Sequence, residues 1–275
     1  MGKSFPQMWK TQKFICLLIH FLLPYILFIK MAYRREFFEK GQPVHILSRA
    51  VEGKKIFEKK GDCYRFIFQI YAANFGEQSS TIRRKDIIKI SQNLLAGEKI
   101  PLRFIKKRQP PLVHILDFAL VKNHYHFYLV PNFDNSIPVF MRRLNTGFAK
   151  YFNLKYEREG VLFATRYKSV LVKTEFQSNA VQRYISIVNP LDVYQPGWRR
   201  KGLSDWQEAF EFLRSYEFSS FPDKIGERRT KILAPKKIEK IYSLFKDPQD
   251  RKNHLNFIED FLREKLSSVQ PLFLE

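Results

Sequence analysis

Apolar and polar positions follow a regular order from residue 43 onward. Residues 43–50 (PVHILSRA) are a short apolar run after a proline, which is typical of a β-strand. Residues 62–76 place aromatic and aliphatic side chains at helical spacing, and Gly76 can end that helix. Residues 77–111 are polar and basic, and we predict a short helix at 84–96 followed by an exposed loop.

The strongest β pattern of the chain lies at residues 112–131, where two apolar, aromatic-rich runs flank Val121-Lys122-Asn123. This arrangement predicts a β-hairpin. Residues 135–153 predict a helix, because Ser136 can cap it, Pro138 suits its first turn, and its apolar residues recur on one face.

The last part of this pattern is a strand at 167–174 and a helix at 176–188, which Asn189-Pro190 is expected to stop. The resulting order of strands and helices predicts an α+β fold: a ferredoxin-like antiparallel sheet with helices on one face. A helical C-terminal appendage is expected to follow, with candidate helices at 204–217, 234–246 and 249–267.

The N-terminus carries an apolar run at 14–29, interrupted only by His20 and Pro24. A membrane-spanning helix needs about 20 apolar residues, so we do not expect this run to anchor the protein. We expect a cytoplasmic, nucleoid-associated location. Our hypothesis is that translation starts at Met31 and that 1–30 is not translated. The predicted domains are this extension (1–30), a catalytic domain (31–203) and a helical C-terminal region (204–275).

Charge narrows the choice of partners. The chain of 275 residues has 48 Lys and Arg against 27 Asp and Glu, a net charge of +21, which indicates a polyanionic partner such as nucleic acid or an anionic membrane surface. Its two cysteines, Cys16 and Cys63, exclude a disulfide framework and favour a reducing compartment.

The candidate chemistry begins with His124-Tyr125-His126. Residues two apart on a strand point to the same side, so both imidazoles share one face and form part of a site for a divalent cation. For the triplet alone, two structural histidines in a strand are the favoured interpretation. Tyr184 lies on the helix after the last strand, where a core aromatic is the simplest interpretation.

Several longer blocks favour the chemical interpretation. The stretches HILDFALVKNHYHFYLVP, MRRLNTGFAKYFNLKYEREGVLFATRYKSVLVKT and RYISIVNPL resemble the REP-associated tyrosine transposases and their IS200-type relatives in the HUH superfamily. The opening VHILSRAVEGKKIFEKKGDCYRF and the later YEFSSFPDKIGERR resemble the same family. The likeness covers roughly residues 43–230, in the family's order.

The resemblance implies a fold and a site. The family has a ferredoxin-like palm, its metal-binding histidines fall on His124 and His126, and its nucleophilic tyrosine falls on Tyr184. The family's third ligand is usually four residues after that tyrosine, which is Val188 here, and the nearest polar residue is Asn189. The implied activity is cleavage and rejoining of single-stranded DNA through a 5′-phosphotyrosine, with Mg²⁺ or Mn²⁺ as cofactor and hairpin-forming repeats as partner.

Basic residues near the core elements are expected to bind the DNA, and single-strand binding of this kind is sensitive to salt. Tyr128 and Tyr194 are rival nucleophiles that rank below Tyr184. The expected DNA-binding residues are Arg83, Arg84, Lys85, Lys106, Lys107, Arg108, Arg142, Arg143, Arg166, Lys168, Arg199 and Arg200.

Two other functions stay open at this point. The one-residue displacement of Asn189 is compatible with a catalytically weak or inactive DNA-binding descendant of the family. The apolar run at 14–29 is compatible with a membrane-anchored basic protein. The sequence does not decide between a monomer and a homodimer, and it indicates no small-molecule cofactor.

Overall fold

The computed structural model describes residues 37–78, 84–101, 104–106, 109–164 and 166–242, and positions 256, 258, 260, 262 and 263. The chain divides into two compact units, Met1–Glu36 and Phe37–Glu275, and these residues all belong to the second. The hypotheses about residues 1–30 and the apolar run at 14–29 therefore lie outside the described residues.

A four-stranded antiparallel sheet forms the centre of the second unit, in the order β4-β5-β1-β6. A short ribbon pairs β2 with β3. The strands are β1 (Val44–Arg49), β2 (Glu77–Gln78), β3 (Ile105–Lys106), β4 (Val113–Val121), β5 (His124–Pro131) and β6 (Lys168–Leu171).

Helices alternate with these strands in the predicted order, so the α+β, ferredoxin-like fold class is confirmed. They are α1 (Lys60–Phe75), α2 (Arg84–Leu95), α3 (Ser136–Lys155), α4 (Glu175–Arg183), α5 (Asn189–Tyr194), α6 (Trp198–Lys201), α7 (Trp206–Ser215), α8 (Phe221–Lys224) and α9 (Lys236–Tyr242), and a π-helical segment (Tyr184–Val188) joins α4 to α5.

One face of the sheet packs against α1 and α3. Ile46 of β1 and Phe127 of β5 are opposite one another and fully buried on this face. They belong to one apolar core with Phe66 of α1 and Phe148 of α3, whose rings meet edge to face at 4.9 Å between centroids. This core covers the face that the alternation of β5 predicts to be apolar.

The opposite face carries alternate residues of the same strands and packs against the π segment and α9. Tyr128 and Val130 of β5 share a smaller apolar cluster with Ile185 and Ala234. Because His124 and His126 have the same strand parity as Tyr128, they lie on this second face. The helix that carries Tyr184 therefore lies against the face that carries both histidines, so helices cover both faces of the sheet and not one face as predicted.

The predicted helix stop at Asn189-Pro190 is wrong. After α4 the chain makes one π-helical stretch at Tyr184–Val188 and continues directly into α5. Pro190 stands at the start of α5, where the missing N–H of proline costs least. The hydrogen bonds of the π turn span five residues, and this wider spacing lets the helix continue through Asn189-Pro190, where a regular α-helix would end.

The remaining predictions differ from the structure mainly at the edges of elements. The predicted helix at 204–217 is α7, and 234–246 is α9 as far as Tyr242, where this stretch of described residues ends. The five described positions between 256 and 263 are helical, as the prediction for 249–267 requires.

The backbone of the C-terminal region contacts β4, since Leu120 N–H donates to the carbonyl of Phe218 and Ala234 N–H donates to the carbonyl of Ile115. None of the described helices is long and apolar enough to cross a membrane.

Gly97, which follows α2, offers a test of this packing. Its φ is +83°, and a Cβ placed there would overlap the carbonyl oxygen of Arg229. Gly160 has a φ of +84° but no atom within 4 Å of the same position. We expect Gly160→Ala to cost about 1 kcal/mol of unfolding free energy and Gly97→Ala about 2–4 kcal/mol, because overlap adds to the backbone strain. Urea denaturation measures both, and equal losses would contradict the close approach.

Candidate active site

The histidine pair of β5 lies side by side on one face of the sheet. The rings of His124 and His126 are 5.0 Å apart between centroids. His126 is opposite Leu47 of β1 and Ala119 of β4, and it is almost fully buried, whereas His124 stands near the end of the strand and is partly exposed. The structure therefore places His124 and His126 on one face of the sheet, as predicted.

A third histidine, His45 of β1, joins the pair, and the sequence reasoning missed it. Its Nε2 lies 3.0 Å from Nδ1 of His126, and the two rings are stacked with centroids 5.2 Å apart. Residues at diagonal positions on neighbouring strands are close enough for such a contact. The available signal was a single histidine in the apolar run 43–50, which becomes informative only once the pairing of β1 with β5 is known.

The outer nitrogen of His126 is available for a ligand. Its Nδ1 is used by His45, and its Nε2 is buried with no hydrogen-bond partner among the described residues. The Nδ1 of His124 lies 2.7 Å from the side-chain oxygen of Asn123, which leaves Nε2 of that ring as its second donor or acceptor. A neighbour on one nitrogen fixes which nitrogen of a histidine can bind a metal.

All three rings are held neutral. Burial lowers the pKa of His45 to about 4. Burial lowers the pKa of His124 to about 3, with a contribution from the positive charges of Arg49 and Arg199. Burial, the neighbouring histidines and the same arginines lower the pKa of His126 well below its usual value. Neutral imidazole is the form that coordinates a metal.

Tyr184 faces these histidines. It is the first residue of the π segment, and its ring meets that of His126 edge-on at 5.4 Å and that of His45 at 6.1 Å between centroids. Ile185, its neighbour, is the residue that enters the apolar cluster beneath the helix. The interpretation of Tyr184 as a core aromatic therefore does not describe its position.

The π segment explains the displaced position of Asn189. The backbone N–H of Asn189 donates to the carbonyl of Tyr184, five residues earlier rather than four. In an α-helix the residue one turn after Tyr184 would be the fourth, Val188. In a π-helix it is the fifth, Asn189. The extra residue in the sequence is absorbed by the helix, so Asn189, and not Val188, lies one helical turn after Tyr184.

The side chain of Asn189 is suited to an additional partner. Asn189 is fully buried, and neither its amide oxygen nor its amide nitrogen has a hydrogen-bond partner among the described residues. A buried amide without partners costs about 1–3 kcal/mol, so such groups usually indicate an ion, a water molecule or a ligand. The described residues contain no group of three or more His, Cys, Asp or Glu placed to hold a metal. We therefore propose the amide oxygen of Asn189 as the additional ligand of this site.

Substitution of Asn189 tests this assignment. We expect Asn189→Ala to weaken Mn²⁺ binding about 10- to 100-fold, the loss typical for groups that support a metal site. Asn189→Asp keeps an oxygen at the same place and is expected to retain most of the affinity. Isothermal titration with Mn²⁺ measures both, and unchanged affinity of the alanine variant would exclude Asn189 as a ligand.

The two rival tyrosines have structural roles. Tyr128 is fully buried, its hydroxyl donates to Ser178 at 2.9 Å, and burial raises its pKa to about 12. Tyr194 donates to Glu208 at 3.1 Å and packs against Phe212. Neither ring makes a described contact with His124 or His126, so Tyr184 remains the candidate nucleophile.

The predicted DNA-binding residues do not form one surface in the described part of the chain. Lys168 is on the edge strand β6 and lies on the histidine face, opposite Leu47 of β1. Arg142 and Arg143 line a cavity of about 420 Å³ between α1 and α3, on the other side of the sheet. Arg166 and Arg200 are exposed. Arg199 lies over the ring of Tyr184. Arg83, Lys107 and Arg108, and the side chains of Arg84, Lys85 and Lys106, lie outside the described residues.

Fold and site together define an α+β protein with a ferredoxin-like sheet and a histidine–tyrosine cluster on one face. The family model described as "Transposase IS200 like" matches residues 96–187, about a third of the chain, including His124, His126 and Tyr184. The resemblance to the IS200-like transposases is thereby confirmed.

Two further comparisons complete this picture. No curated protein matches the chain significantly. A solved structure of a REP-associated tyrosine transposase bound to a REP hairpin is similar at 13% identity with a TM-score of 0.43, over 74% of this chain and 92% of that one.

Proposed function

We propose that this protein is a DNA transposase that cuts and rejoins single-stranded DNA with Tyr184 as its nucleophile. The observation that carries the proposal is the position of the phenol ring, edge-on to His126, whose Nε2 is buried and has no partner among the described residues. A phenol beside a pair of neutral imidazoles is suited to attack on a phosphodiester at a metal site.

The proposed step exchanges one ester for another. The phenolic oxygen of Tyr184 bonds to phosphorus, and the bond from phosphorus to the 3′ oxygen of the preceding nucleotide breaks. The phenolic proton passes to solvent, and the departing 3′ oxygen takes up a proton from solvent. The products are a 5′-phosphotyrosine and a free 3′-OH. Attack by a 3′-OH on the phosphotyrosine reverses the step, which suits strand transfer better than hydrolysis does.

A divalent cation fits the residues present. His124, His126 and Asn189 would hold it, since two neutral imidazoles and an unpaired amide are available on this face. A bound Mg²⁺ or Mn²⁺ supplies positive charge that polarises the oxygens of the scissile phosphate. His45 lies against Nδ1 of His126, which leaves Nε2 of His126 for the cation.

Single-stranded DNA is the proposed substrate because the chain is strongly basic and carries exposed basic residues, of which Lys168 lies on the histidine face. The net charge of +21 favours a polyanion, and Arg166, Lys168 and Arg200 are exposed. We propose hairpin-forming repeats as the recognised DNA, in line with the hairpin bound to the similar transposase structure.

The direct test is formation of a covalent protein–DNA adduct. Labelled single strands that contain hairpin-forming inverted repeats are incubated with the protein and Mn²⁺ or Mg²⁺, and the products are separated under denaturing conditions. A labelled band at the mass of protein plus DNA is expected with metal and not with excess EDTA. Binding of the strands without any adduct under these conditions would indicate the alternative, a DNA-binding descendant that has lost catalysis.

A further inference from the structure

Arg199 stands directly beside the proposed nucleophile. Its guanidinium carbon lies over the Tyr184 ring, 5.5 Å from the ring centroid. The positive charge of Arg199 also contributes to the lowered pKa of both His124 and His126. Arg199 therefore belongs to the same cluster as the nucleophile and the candidate metal ligands.

Asp192 fixes the orientation of this guanidinium. Nη2 of Arg199 lies 2.5 Å from Oδ2 of Asp192, and Nε donates to Oδ1 at 3.1 Å. The indole N–H of Trp198 donates to the same Oδ1 at 2.9 Å, which holds the carboxylate in place. A bidentate pair of this kind fixes an arginine far better than a single contact does.

The pairing with Asp192 also distinguishes Arg199 from its neighbour. Arg200 follows it on α6 and is exposed, whereas Arg199 is half-buried with its charge balanced by a carboxylate. A guanidinium that is already paired attracts a phosphate backbone less than a solvated one does. The position of Arg199 thus favours a role at the phenol over the role of a general DNA contact.

We propose that Arg199 is a catalytic residue that donates a hydrogen bond to the phenolic oxygen of Tyr184, with Asp192 as its positioning residue. This inference rests on the proposed function. As the phenol attacks phosphorus, its proton leaves to solvent and negative charge develops on its oxygen. In the rejoining step the bond from phosphorus to that oxygen breaks, and the departing oxygen carries the charge until solvent protonates it. A fixed donor aimed at this oxygen stabilises both steps.

The test compares Arg199→Gln and Arg199→Lys with Arg200→Gln, which removes the same charge one residue away. The rate of adduct formation is measured at saturating single-stranded DNA with Mn²⁺, and the DNA dissociation constant is measured separately in a Tyr184→Phe background. We expect Arg199→Gln to slow adduct formation roughly 100-fold, with the dissociation constant changed by less than about threefold, and Arg199→Lys to be intermediate. Arg200→Gln is expected to weaken binding and to slow the saturated rate far less.

The outcomes separate this inference from the function on which it rests. If the unaltered protein forms no adduct, the proposed function fails, and the role of Arg199 fails with it. If it does form the adduct and Arg199→Gln matches Arg200→Gln in both measurements, the function stands and Arg199 is a DNA contact only. A melting temperature near that of the unaltered protein shows that the Arg199 variants are folded. Should Arg199→Gln unfold, Arg199→Lys carries the same comparison.

Discussion

Replacement of Tyr184 by phenylalanine is expected to abolish the covalent protein–DNA adduct while DNA binding changes by less than about twofold. The substitution removes one oxygen and keeps the ring that meets His126 and His45 edge-on. Without that oxygen no bond to phosphorus can form, so the loss of adduct should be complete rather than partial. Denaturing gels detect the adduct, and fluorescence anisotropy of a labelled strand measures binding.

Tyr194→Phe is the matched control. Tyr194 lies ten residues later on the same run of helix, and its hydroxyl bonds to Glu208 rather than facing the histidines. This variant should form the adduct at close to the normal rate. An adduct that persists in Tyr184→Phe and disappears in Tyr194→Phe would reassign the nucleophile, and with it the whole arrangement proposed for the site.

Local patterns in the sequence are sufficient to predict the elements that build this fold. The hairpin around Lys122-Asn123 and the apolar face of α3 follow from strand alternation and helical spacing, and both are where they were predicted. The antiparallel sheet order confirms the ferredoxin-like fold class. The placement of His124 and His126 on one face needs only the two-residue period of a strand.

The parts that the sequence did not predict depend on contacts between distant segments. His45 and His126 are 81 positions apart, and nothing local to either indicates that their rings meet. The continuation of the helix through Asn189-Pro190 was missed because proline usually ends helices, and the π turn that accommodates it has no recognisable local pattern. Arg199 was predicted as a DNA contact from its basic neighbours, whereas its pairing with Asp192 appears only in the structure.

His126→Ala has the second of the two largest expected effects. His126 is the centre of the cluster, because its ring contacts His45, His124 and Tyr184. Its loss removes a candidate metal ligand and the support of the nucleophile's ring together. We expect at least about a 1000-fold slower adduct formation, since the metal's charge and the position of the phenol are lost at once.

His45→Ala separates these contributions. It leaves both candidate ligands on β5 and removes only the group that holds Nδ1 of His126. Loss of such a supporting group typically weakens metal affinity about 10- to 100-fold, so a sufficient excess of Mn²⁺ should restore much of the rate in His45→Ala. The same excess should restore His126→Ala far less, because that variant also loses the ring that contacts the phenol of Tyr184. Rates measured across a Mn²⁺ titration distinguish the two variants, and recovery of His126→Ala to the rate of His45→Ala would contradict this second role of the His126 ring.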